Sequence, residues 1–264
     1  MHWQCSVVFP VSGMSSLVLK LGMVATVVVI SIAAGRPVLM GARSARSMPS
    51  IGLGEAFAAG IFLGAGLIHM LGDAQSAFDA AQVGYPFAMV ICGSVMLLLP
   101  WIEHWANHGT ESSSTNSKLL PVSAVAMLSI HSLLMGAAFG ISSSLALTLV
   151  IFLAVLAHKG AASFALGLEL GRSKFSSRSA WRLFLVFVVM FPVSALLGQS
   201  LSVASDAHPL VEASISAAAA GTFLFFGTLH GLASTPLVNR CCNQREFMAA
   251  VGGYAVMAVV AIWT

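Results

Sequence analysis

Histidine and aspartate side chains recur inside apolar stretches of this sequence, at spacings that suit a metal ion. His69 and Asp73 are four residues apart, so they share one face of a helix. His131 and His158 lie in two consecutive apolar stretches further along the chain, and His230 lies in a later one. Imidazole nitrogen and carboxylate oxygen are common ligands of zinc and related divalent ions. The pattern predicts a cation-binding path.

The elements that would position these residues are membrane-spanning helices. Of the 264 residues, 58% are hydrophobic and only 8% are charged, with a mean hydropathy of +0.93. Soluble domains carry about 25% charged residues, which excludes that class. Because a helix crosses a bilayer with about 20 apolar residues, the sequence predicts an all-α integral membrane protein with one transmembrane domain, residues 1–264. Its eight predicted spans are residues 17–35, 51–76, 84–102, 119–141, 144–171, 181–201, 211–233 and 247–263.

Basic residues fall on alternate predicted loops. Ten of the 12 Lys and Arg residues lie in the loops that follow spans one, three, five and seven, or at their edges. Basic loops face the cytoplasm in most membrane proteins. Both chain termini are therefore expected on the non-cytoplasmic side, in the plasma membrane or an organellar membrane.

The depths of the polar residues follow from the rise of about 1.5 Å per residue along a helix. His131 lies 12 residues above the start of span four, and His158 lies 13 residues above the end of span five. These two imidazoles should therefore meet near mid-membrane. In order of depth, from the non-cytoplasmic to the cytoplasmic side, the expected residues are Asp73, His69, His131 with His158, His230 and Glu55.

Each of these residues also has a structural interpretation. A single histidine inside a membrane helix often serves only as an interhelical hydrogen-bond partner. Lys159 must find an acceptor or lose its proton, because a bare ammonium is costly inside a membrane. Met135 follows His131 by one helical turn on the same face, so it is a further candidate ligand.

These residues occur in motifs that resemble those of the ZIP (Zrt/Irt-like) family of divalent-metal transporters. Residues 58–73 are similar to the family's second span, His131-Ser-Leu-Leu-Met-Gly136 to its His-Ser-x-x-Glu-Gly, and residues 158–167 to a His-Lys-Gly form found in one branch. Phe191-Pro192 and residues 220–224 are also family-like. The resemblance implies an eight-helix bundle, both termini outside, and a homodimer.

The resemblance also implies particular roles. His131 and His158 would hold one metal ion in the centre, and Lys159 would stand where a second metal binds. The sequence departs from the family pattern at several positions: Met135 and His230 replace glutamates, Ser216 replaces an earlier glutamate, and Gly72 replaces a proline. Two neutral imidazoles and a thioether leave the charge of a dication unbalanced.

Two functions remain open at this stage. The first is transport of a divalent metal ion, most simply Zn²⁺, toward the cytoplasm by alternating access, with the lipid bilayer and the ion as partners. The second is a transport-inactive subunit of a larger membrane complex that keeps the fold. No catalytic motif, prosthetic-group motif or basic patch for nucleic acid is recognised, so an enzyme is not expected.

Overall fold

The computed structural model describes residues 13–41, 49–108, 119–142, 145–201, 209–230 and 244–262. The described chain forms eight helices, which confirms the all-α prediction. The helices are α1 (Gly13–Gly41), α2 (Pro49–Gly64, continued by π-helical Ala65–Met70 and by Leu71–Ala80), α3 (Phe87–His108), α4 (Leu119–Ile141), α5 (Leu145–Arg172), α6 (Ser177–Leu201), α7 (Pro209–Phe225, continued by π-helical Phe226–His230) and α8 (Gln244–Val260).

Five helices of the described chain are long and apolar enough to cross a membrane. They are Leu17–Gly41, Ile51–Ala80, Pro121–Ile141, Thr148–Arg172 and Ser177–Ser200. Two shorter apolar helices, Phe87–Ile102 and Ala213–Leu229, accompany them. The chain is therefore an integral membrane protein. Four of the basic loop residues used to predict its orientation, Arg43, Arg46, Lys118 and Arg240, lie outside the described residues.

The helix limits differ from the predicted span limits by a few residues. Helix α6 begins at Ser177 and not at 181, because Ser176 caps its amino end: the backbone N–H of Ser179 donates to Ser176 Oγ at 3.2 Å. The basic residues Arg178 and Arg182 thus lie inside the helix. A charged residue near a helix end marks the membrane boundary and need not mark the end of the helix.

The eight helices pack as two groups of four. In one group α4 lies along α6 and α1 lies along α5; in the other α2 lies along α8 and α3 lies along α7. The two groups contact each other less closely, mainly where α5 meets α2 and α8 and where α4 meets α7. The predicted metal ligands lie on helices of both groups, so the boundary between the groups is where a site would form.

Glycines allow the backbones of α4 and α6 to touch. A Cβ added to Gly136 would collide with Ser194 Oγ, one added to Gly140 would collide with the Ala195 carbonyl, and one added to Gly198 would collide with the Ala137 carbonyl. Small residues play this role between membrane helices because lipid offers no hydrophobic force to hold them together. We call this contact the glycine seam.

Lys20 joins three helices at one end of the bundle. Its Nζ donates hydrogen bonds to the carbonyls of Gly140, at 2.9 Å, and Ser142, at 2.7 Å, and to Gln199 Oε1, at 2.8 Å. The carbonyls at a helix carboxyl end lack intrahelical donors, and a cation suits them. Lys20 therefore fixes the end of α4 against α1 and α6.

Candidate metal centre

His131 and His158 meet inside the bundle. Their Nε2 atoms are 3.3 Å apart, and the side chains are 6% and 1% exposed, respectively. Helix α4 supplies the first imidazole and α5 the second, as the depth argument predicts. We call these two residues the imidazole pair. Two nitrogens at 2.0–2.1 Å from a tetrahedral zinc ion would lie about 3.3 Å apart, so the observed separation suits both a hydrogen bond and a shared ion.

Phe223 of α7 covers the imidazole pair. Its ring centroid is 5.0 Å from that of His131 and 5.8 Å from that of His158. Phe62 of α2 packs edge-on against Phe223, at a centroid distance of 4.9 Å. All four rings are buried. The pair thus belongs to one group of helices and its aromatic cover to the other.

Lys159 and Ser132 form a second pair next to the imidazole pair. Lys159 Nζ donates to Ser132 Oγ at 2.5 Å, and this hydroxyl donates in turn to the Leu128 carbonyl at 2.6 Å. The ammonium also lies 3.8 Å from the centroid of the Phe187 ring. A hydroxyl and an aromatic face thus solvate the buried lysine. The groups that stabilise the Lys159 ammonium are therefore the Ser132 hydroxyl and the Phe187 ring.

His69 and Asp73 form an ion-pair contact on α2. His69 Nδ1 lies 2.9 Å from Asp73 Oδ2, and the two side chains are 12% and 54% exposed. His69 lies within the π-helical segment Ala65–Met70. Segments of π-helix are frequent at functional sites. Asp73 is the more exposed of the two residues.

The structure gives different information on the two remaining candidates, Met135 and His230. Met135 packs against a hydrophobic cluster that includes Val27, Phe139 and Phe191. His230 ends the π-helical segment Phe226–His230, and its side chain lies outside the described residues. In the described chain, no three His, Cys, Asp or Glu side chains are close enough to hold one metal ion.

Two carboxylates lie where α2 and α8 begin. Glu55, placed on the path by sequence reasoning, forms an ion pair with Arg172 of α5. Sequence reasoning did not select Glu246 of α8, which is 6% exposed. Its position at the amino end of an apolar helix was the signal that could have found it.

Comparison with known proteins agrees with this arrangement. A family model described as ZIP zinc transporter matches residues 103–261. The chain is 28% identical to zinc transporter ZIP2 of Mus musculus over 259 residues, which covers 78% of this chain and 83% of that protein. Zinc transporter ZIP2 of Homo sapiens is 26% identical over 257 residues, which again covers 78% of this chain and 83% of that protein. Protein zntD of Dictyostelium discoideum is 34% identical over 151 residues, which is 55% of this chain and 22% of that protein.

The family match spans more than half of the chain and includes the helices that carry His131, His158, Lys159 and His230. The helical bundle and the buried imidazole pair are consistent with it. This chain belongs to the ZIP zinc transporter family.

Proposed function

We propose that the protein transports a divalent metal ion, Zn²⁺, across the membrane, and that His131 and His158 bind this ion in transit. The observation that carries the proposal is the 3.3 Å separation of their Nε2 atoms. Zinc accepts neutral imidazole as a ligand, and both imidazoles are buried inside the bundle. The relatives named zinc transporter ZIP2 support the choice of ion.

The proposed path uses the other polar residues as stations. Asp73 and His69 receive the ion at one side, the imidazole pair binds it in the centre, and His230 releases it toward the basic loops, which we place in the cytoplasm. Met135 would act as a soft ligand if α4 rotated toward the ion. Alternating access requires relative movement of the two helix groups, and their boundary passes between the imidazole pair and Phe223.

Lys159 limits the centre to one ion. Its ammonium lies one residue beyond His158 and forms its hydrogen bond inside the bundle. A second dication at that place would face a positive charge in a medium that screens charge poorly. Lys159 thus substitutes for a second metal.

Uptake of radioactive zinc into proteoliposomes tests the proposal. We expect uptake by the unchanged protein, and a loss of about tenfold or more in His131→Ala and in His158→Ala, since each removes one of two ligands. Ser129→Ala is the matched control, because Ser129 is a buried polar residue of the same helix and lies two positions away, on another face. Equal uptake by all four proteins, or none by the unchanged protein, contradicts the proposal.

A second function rests on the missing third ligand. No described group of three ligating residues surrounds the imidazole pair, and Met135 packs among apolar side chains. A chain that kept the fold without transport would be a subunit of a larger membrane complex. Sedimentation of the protein extracted in mild detergent distinguishes the two: a homodimer supports transport, whereas comigration with a large assembly supports the second function.

A further inference from the structure

Glu246 is a buried carboxylate whose charge is unbalanced by its described surroundings. It lies in the first turn of α8 and is 6% exposed. Its Oε2 atom is buried and has no hydrogen-bond partner within the described chain. An isolated ionised carboxylate is costly to bury, so such a group requires a cation or a proton.

The second oxygen of Glu246 locates the carboxylate against α2. A Cβ added to Gly52 would lie 2.9 Å from Glu246 Oε1, so the carboxylate head fills the space that a side chain at position 52 would occupy. Glu55 follows Gly52 by three residues, which places it about one turn along the same side of α2. Two carboxylates therefore lie near each other where α2 and α8 begin.

Arg172 supplies the only cation that the described contacts give to these carboxylates. It is the last residue of α5, and its Nη1 forms an ion pair with Glu55 Oε1. The Arg172 side chain is 33% exposed and that of Glu55 is 15% exposed. Among the described residues, Arg172 forms an ion pair with Glu55, and none forms an ion pair with Glu246.

We propose that Glu55 and Glu246 form a second divalent-cation site, separate from the imidazole pair, and that Arg172 occupies Glu55 while the site is empty. The inference deepens the proposed function and rests on it for the identity of the ion. Carboxylate oxygens bind divalent cations and supply the negative charge that two neutral imidazoles lack. Displacement of Arg172 by a dication would neutralise both carboxylates, and it would break the ion pair that joins α2 to α5, helices of different groups.

Equilibrium dialysis of the purified full-length protein against Zn²⁺ tests this site. We expect one class of bound zinc to disappear in Glu246→Gln, which keeps the shape of the side chain and removes its charge. The same class should remain in His131→Ala, because that variant changes only the imidazole pair. In Arg172→Gln the class should bind about fivefold tighter or more, since the competing cation is gone. Asp79→Asn is the matched control: its carboxylate is exposed, bonds to Gln75 and lies at the other end of α2.

Thermal unfolding gives a second measurement on the same proteins. Without zinc, Glu246→Gln should be at least as stable as the unchanged protein, because the buried charge is removed. Added Zn²⁺ should raise the Tm of His131→Ala but not that of the double variant His131→Ala/Glu246→Gln. If Glu246→Gln does not fold, Glu55→Gln must abolish the same class of bound zinc.

Unchanged stoichiometry and affinity in Glu246→Gln would overturn the second site. That result together with normal zinc uptake rejects this inference alone. Binding that depends on Glu246 in a protein without zinc uptake rejects the transport proposal and supports the site.

Discussion

Lys159 donates a hydrogen bond to Ser132, and His158 contacts His131. Each histidine lies one position before the lysine or serine of its own helix. Two consecutive residues of α4 thus contact two consecutive residues of α5, so the two pairs lie at nearly the same depth in the bundle, about 1.5 Å apart along each helix axis. The first pair brings two imidazole nitrogens into contact, and the second pair contains a buried lysine. The imidazole pair thus lies beside a buried amine that belongs to the protein.

The first prediction concerns this charge. In Lys159→Met, zinc should bind the imidazole pair about tenfold tighter or more, because a unit charge that repels the dication is removed. The thioether can still pack against Phe187, which lies 3.8 Å from the ammonium in the present structure. Competition against a fluorescent zinc chelator measures the affinity. Lys174→Met, which removes an exposed lysine, should leave it unchanged. Weaker binding in Lys159→Met would show that the ammonium supports the centre.

The second prediction concerns Met135. Met135 packs in the cluster of Val27, Phe139 and Phe191. The variant Met135→Glu should therefore lower the stability of the metal-free protein by about 2 kcal/mol or more. Zinc should restore part of that loss, since the new carboxylate stands one turn from His131 and can reach an ion there. Thermal unfolding with and without Zn²⁺ gives both quantities. Met135→Gln, which is polar but uncharged, should be destabilised and should gain from Zn²⁺ only as much stability as the unchanged protein gains. Equal recovery in both variants would exclude a new ligand.

The third prediction concerns the aromatic cover of the site. Phe223→Ala should cost about 3–5 kcal/mol and should expose the imidazole pair to water. Diethyl pyrocarbonate should then modify His131 and His158 faster, as measured by mass spectrometry of the peptides. Phe184→Ala is the matched control, because Phe184 is equally buried but stacks on Trp181. Faster modification in both variants would indicate general loosening of the bundle.

The fourth prediction concerns Lys20. Lys20→Met should lower stability by about 2 kcal/mol, because hydrogen bonds from a charged donor to three oxygens are lost. Hydrogen exchange should increase at the carboxyl ends of α4 and α6, where those oxygens lie. Arg178→Gln removes an exposed cation elsewhere and should change neither quantity. Unchanged exchange at both helix ends would contradict the role assigned to Lys20.

Sequence reasoning could predict the helices and the meeting of His131 with His158, because both depend on apolar run length and on a constant rise per residue. It could not predict the hydrogen-bond and ion-pair partners of the polar side chains. Nothing in the sequence marks Lys20 as the residue that binds the end of α4. Sequence reasoning placed Glu55 on the path but did not identify its partner, Arg172.

The sequence pattern did not predict the two π-helical segments either. Each inserts extra residues per turn, and so changes which face a later residue presents. His69 lies within one such segment and His230 ends the other. A regular helix drawn from the sequence misplaces both residues by part of a turn. Such segments depend on packing between helices, here including the bond from Ser216 Oγ to the Met70 carbonyl at 3.3 Å, and not on local residue preference.

The glycine seam has a consequence for how this protein can change over evolutionary time. It requires Gly136, Gly140 and Gly198 to have no side chain, whereas the proposed ion binding requires particular side chains at His131 and His158. The two demands therefore fall on different residues. A single substitution at a proposed ligand position, such as Met135, can alter ion preference while the backbone spacing stays the same. Ion selectivity can thus change by single substitutions, and the protein at each step can still fold.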